Sequence, residues 1–170
     1  MSKKVSSFDF LNKFDPLLVQ LGALAESYPE SDPHASLIRL RQYGDVLGRL
    51  VAQKFFIYVE SEEVYFDLLE NLKSKDQLPP DIIRGFNQLR IAGNNALHSF
   101  QGNSNDVRKN IRIAVKLGQW FVSISDNQGK INSLEKSLAP DLKNKLNKIT
   151  TKIQPEEKIQ KVSNDFSGQD

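Results

Sequence analysis

The chain has 170 residues, 39% of them hydrophobic, with ten Phe, one Trp and a formal charge of +2. That suits one domain with a real core plus an appendage. The absence of cysteine excludes disulfides, thiolate zinc sites and cysteine nucleophiles, and no run approaches the roughly 20 apolar residues of a membrane helix.

Residues 1–6 are expected to be disordered. No apolar run follows Lys3-Lys4, so no signal peptide is expected and a cytoplasmic location is. Ser7 is placed to cap a helix whose inner face is Phe8, Leu11, Phe14, Leu18, Leu21 and Leu24. Asp15-Pro16 predicts a break or kink within it, because a proline disfavours a helical residue before it. Asp32-Pro33 reads as a cap followed by proline in the first turn. The helix it opens should run to about Tyr58, with Leu37, Leu40, Gly44, Leu47 and Val51 inward. Arg41 and Asp45, four apart on its other side, are within reach of an ion pair. His34, with no partner cluster nearby, reads as a surface residue. Ser61 is predicted to cap a shorter helix with Val64, Leu68, Leu69 and Leu72 inward, and Gln77-Leu78-Pro79-Pro80-Asp81 stops and restarts the chain.

The next helix carries the densest pattern. Ile82, Phe86, Leu89, Gly93, Leu97 and Phe100 form an apolar stripe at steps of three and four. Arg90, Asn94 and His98 stack on a second face, one turn apart, and are the only constellation with catalytic potential. Gly93 costs this helix about 1 kcal/mol relative to Ala, which points to close packing there. After a turn at Gln101-Gly102-Asn103, Ser104 is expected to cap a last core helix. Its Val107, Ile111, Ala114, Leu117, Phe121 and Ile124 cover more than one face and so place it at the domain centre, with Trp120 in the core.

Asp126-Asn127-Gln128-Gly129 is expected to end the domain. The predicted organisation is thus a helical bundle over 7–127, a linker or coiled-coil-like helix over 128–154 and a disordered tail over 155–170. The linker's seam of Ile131, Leu134, Leu138, Leu142, Leu146, Ile149 and Ile153 needs a partner helix, a second copy of the chain or a following domain. No period-two alternation occurs, so the chain reads as all-α, about five helices in a compact bundle.

Residues 1–129 carry 15 Lys/Arg against 15 Asp/Glu, whereas residues 130–170 carry 8 Lys against 6 Asp/Glu. That balance argues against a broad nucleic-acid-binding face, leaving Lys143, Lys145, Lys148 and Lys152 as weak candidates for phosphate contacts. No Gly-rich phosphate loop, paired-histidine metal spacing or nucleophile elbow is present, so no cofactor or metal is expected.

Phe8-Asp9-Phe10-Leu11, then Leu40-Arg41-Gln42-Tyr43-Gly44-Asp45, Leu78-Pro79-Pro80, Arg90-Ile91-Ala92-Gly93-Asn94 through His98, and Gly118-Gln119-Trp120-Phe121 follow one another through residues 8–125. In that order they resemble the N-terminal helical module of type I restriction endonuclease R-subunit-like helicases, a module grouped with the HEPN superfamily. The resemblance implies an accessory domain in a restriction or phage-defence system, self-associating or docking on a helicase or nuclease partner. It also implies an alternative, since active HEPN ribonucleases cut RNA without metal using an arginine, a polar residue and a histidine. With His98 as the histidine, Asn94 takes the polar position and Gly93 stands where the arginine belongs. A glycine cannot stabilise charge on a phosphorane. Arg90, one turn earlier, is the remaining candidate, with His98 as general acid/base. The resemblance therefore implies a non-catalytic role, with the ribonuclease as its competitor.

Overall fold

The computed structural model describes residues 5–60, 64–75 and 78–137, with side chains as far as Asn127. The protein is all-α: a 3-10 turn at Asp9–Leu11 precedes α1 (Pro16–Ser27), α2 (Pro33–Lys54), α3 (Tyr65–Ser74), α4 (Pro80–Ser99) and α5 (Ser104–Ser137). The chain divides into two units, Met1–Asn127 and Gln128–Asp170. Of the second, only the helical backbone as far as Ser137 is described.

Three of the helices open on proline, where the missing N–H would have no intrahelical partner anyway. Asp15 accepts a hydrogen bond from Leu17 N at 2.8 Å, and Asp32 accepts one from Ala35 N at 2.9 Å. The break at Asp15-Pro16 is therefore complete, and the Phe8–Leu11 stretch is a short separate turn whose first N–H, that of Phe8, is met by Ser6 Oγ rather than by Ser7. Replacing Asp32 by Ala will lower the unfolding free energy by about 1 kcal/mol, read from urea denaturation, because it removes this cap.

Two helices end in an unexpected way. α2 stops at Lys54 rather than near Tyr58, because Phe56 turns into the left-handed region at φ 55° and Ile57 N donates back to Ala52 O at 2.9 Å. α4 also ends on a left-handed phenylalanine, with Phe100 at φ 49° and Gln101 N donating to Asn95 O at 3.2 Å. That geometry usually takes glycine, so two phenylalanines there store strain. His34 stabilises the second stop: its Nε2–H donates to the Phe100 carbonyl at 2.8 Å, and the two rings meet edge to face. It is thus a partly buried helix-end contact, not the free surface residue expected.

Other local expectations shift by a residue or a turn. α3 begins at Tyr65 with Val64 as its cap residue, so Val64 is exposed and Tyr65 takes the inward place. The expected cap Ser61 lies outside the described residues. Asn103, not Ser104, caps α5: its Oδ1 accepts from Asn105 N and Asp106 N, and Asp106 Oδ2 accepts in return from Asn103 N. The helix then runs through Asp126-Asn127-Gln128-Gly129 to Ser137, since one glycine costs a helix only about 1 kcal/mol.

α2 touches every other helix. It packs against α1, α3 and α4, and the hydroxyl of its Tyr43 donates to Ala114 O of α5 at 3.0 Å. The ring of Phe8 meets Tyr43 edge-on with centroids 5.1 Å apart, and Phe14 meets Phe121 of α5 at 5.2 Å. α5 is less enclosed than expected, for Lys109, Arg112, Lys116 and Gln119 form an exposed face and Trp120 is only partly buried.

Candidate functional site

The site grows from the crossing of α2 and α4. At Gly93 the two backbones approach closely: a Cβ there would run into Arg41 Cβ and come within 3.0 Å of Leu37 O. One turn earlier the hydroxyl of Tyr65 enters between the helices, donating to Phe86 O at 3.1 Å and filling the space beside Gly44. Burial drives the Tyr65 phenol well above its ordinary range. Asp45 adds to that rise, while Arg41 and Arg90 oppose it, so three charged groups of α2 and α4 surround this hydroxyl.

The pairings among them are not the ones the spacing suggested. Asp45 takes Arg49 as its partner at 3.0 Å. Arg41 instead lies along Gly93, its Nε buried without a hydrogen-bond partner among the described residues. Both partners sit four residues from Asp45, and only the α2–α4 crossing decides between them.

On α4 the apolar stripe ends at Ala96, since Leu97 is 49% and Phe100 79% exposed. Beside it Arg90 is half-buried, with its guanidinium over the Phe66 ring at 5.1 Å and in reach of Asn87 Oδ1 at 3.4 Å. Asn94 is half-buried and His98 exposed, without a hydrogen bond or ion pair among the described residues. Eight residues of helix separate Arg90 from His98 by about 12 Å along the axis. The Arg90 contacts with Phe66 and Asn87 draw the guanidinium toward the start of α4 and away from the histidine. The three side chains share a helix but do not converge within one chain. Lys143, Lys145, Lys148 and Lys152, together with the linker seam from Leu138 onward, lie outside the described residues.

Beside this ridge, α4 and α5 flank an open cavity of about 590 Å³. Five carboxamides line it: Asn87, Gln88, Asn95, Gln101 and Asn110. Asn110 is 3% exposed, and its Nδ2 donates to Asp106 O at 2.8 Å, which leaves its Oδ1 buried with no partner among the described residues. The sequence carried a signal for this residue. Asn110 interrupts the run Val107, Ala114, Leu117 and Phe121 at a position where the helix is otherwise buried and apolar.

Among the described residues no group of His and acidic side chains has the arrangement of a metal site, and no helix is long and apolar enough to cross a membrane. No family model and no solved structure matches the chain. Over 116 residues it is 26% identical to the type I restriction enzyme EcoKI endonuclease subunit of Escherichia coli (strain K12). The match takes in 68% of this chain but only 10% of that subunit, so the chain is similar to a small part of a much longer protein.

Proposed function

We propose that the chain is a non-catalytic helical accessory module of a restriction-type system, of the HEPN-like kind, and that it works by docking on a helicase or nuclease partner. The observation that supports this reading is the match of 116 residues to a tenth of a type I endonuclease subunit, a length that fits one module of a larger protein. Its surface supports docking. In the connection from α2 to α3, Phe56 is 97% and Tyr58 81% exposed, and Val64 at the start of α3 is exposed too. Phe56 combines a left-handed backbone with a ring left in solvent, and strain of this sort gathers where a segment binds.

The test is binding of the full chain to the Escherichia coli subunit deleted for the segment that this chain matches. A complex should form, and Phe56→Asn with Tyr58→Ser should weaken it at least tenfold, since asparagine accepts the left-handed backbone and only the apolar surface is lost. No complex with the deleted subunit, or one indifferent to both substitutions, would count against docking through this surface.

The competing enzyme, a metal-independent ribonuclease using Arg90 and His98, meets an obstacle in the α2–α4 crossing, which leaves no room for a side chain at position 93. Labelled single-stranded RNA in EDTA should survive incubation with the protein. Cleavage that disappears in His98→Ala would reverse this conclusion.

A further inference from the structure

We infer that the cavity between α4 and α5 is a nucleotide-binding site, with the base held beside Ile91 and Asn110 and the phosphate toward Arg84. This does not depend on the docking role. A carboxamide offers an acceptor and donors side by side, the pattern that matches the edge of a nucleobase. Of the five in the lining, Asn87 is occupied by Arg90 and the Ile83 carbonyl, which leaves Gln88, Asn95, Gln101 and the Oδ1 of Asn110 to meet a base. One lining residue, Asn110, carries a buried acceptor that has no partner among the described residues. Because Asn110 Nδ2 is committed to the Asp106 carbonyl, the orientation of the amide is set and its buried Oδ1 is the free end. A ligand N–H reaching that depth would satisfy it, and leaving such an atom unmet is costly.

The remaining walls fit the other parts of a nucleotide. Ile91 and Ala92 supply apolar surface for a base face. Arg84 and Lys109 are exposed cations with no ion pair among the described residues, available to a phosphate. Asp106 lines the cavity near the turn, so an anionic group belongs at the Arg84 end, while the carboxylate can accept from a base amino group. The volume of about 590 Å³ is in the range of small-molecule sites. Past Arg84 and Gln88 the groove continues into a second hollow of about 460 Å³ that includes Lys116 and Trp120. A cation and an aromatic surface there suit the next unit of a single strand. The bound nucleotide is therefore either free or part of an unpaired strand.

Calorimetric titration of the full chain with nucleoside 5′-monophosphates, the matching nucleosides, inorganic phosphate and a short single-stranded oligonucleotide tests the assignment. At least one monophosphate or the oligonucleotide should bind saturably, more tightly than its nucleoside. Arg84→Gln with Lys109→Gln should remove that advantage by tenfold or more while leaving nucleoside binding in place. Asn95→Ala, on an exposed position that leaves the core intact, should weaken nucleotide and nucleoside alike. Tighter binding of the oligonucleotide, with Lys116→Gln reducing only that preference, supports a strand as the source. Equal or tighter binding of the monophosphate supports a free nucleotide. Absence of saturable binding in every arm overturns the proposal, as does phosphate binding as well as any nucleotide, or binding unchanged in the Arg84/Lys109 and Asn95 variants.

Discussion

Above a pH of about 10 the folded protein is expected to lose stability at about 2.7 kcal/mol per pH unit, twice the value for a single titrating group. The cause is a pair of buried phenols. Tyr43 and Tyr65 are almost wholly enclosed, and burial pushes both hydroxyls far above their ordinary range. The folded state therefore holds two protons that the unfolded chain releases near a pH of about 10. This stability is fully present below the unfolded pKa and declines as pH rises beyond it. Over one and a half units the loss is about 4 kcal/mol, a large share of the 5–15 kcal/mol typical of a domain. Denaturant unfolding at a series of alkaline pH values measures the slope. Tyr43→Phe and Tyr65→Phe should each halve it, and the double variant should nearly abolish it. Tyr43→Phe also gives up the hydrogen bond to Ala114 O, so about 1 kcal/mol should be missing at neutral pH as well. A slope unchanged in the double variant would mean that other groups govern the alkaline limit.

Gly93→Ala is expected to destabilise the protein, even though alanine favours an isolated helix by about 1 kcal/mol over glycine. The added Cβ meets the Arg41 Cβ, which belongs to the stem of that side chain and cannot swing away, and lies 3.0 Å from the Leu37 carbonyl of the α2 backbone. Relief requires moving one helix against the other, and overpacking of this kind costs about 1–3 kcal/mol, more than the helix gains. A lower denaturation midpoint at unchanged slope on denaturant would report it. Gly93→Arg, which would complete the arginine–histidine pair of the active ribonucleases, should cost considerably more and should not confer RNA cleavage. An arginine variant as stable as the original chain would show that the crossing can open. That result would return the enzymatic reading to consideration.

The same crossing explains how far the candidate site was legible. Gly93 stood out because a glycine amid good helix formers costs stability unless something needs the room, and α2 needs it. Arg90, Asn94 and His98 were correctly assigned to one helix, but their divergence follows from Phe66 of α3, which draws the guanidinium toward itself. No spacing within α4 contains that ring. The carboxamide cavity was missed for a like reason: Asn87, Gln88 and Asn95 are unremarkable on α4 until α5 brings Asn110 and Lys109 opposite them. Only the lone amide among buried apolar positions on α5 was visible in advance.

By itself the sequence determined the all-α class, the break before α1, the start of α2 and the restart at α4, because prolines and capping aspartates act through hydrogen bonds and dihedral limits spanning only a few residues. Tertiary structure alone decided that Asp45 chooses Arg49 over Arg41, that the α4 stripe ends at Ala96, that His34 secures the Phe100 turn, and that five amides share one hollow. Those outcomes depend on how whole helices cross. A crossing is set by the summed packing of many side chains, so it cannot be read from any one stretch of chain.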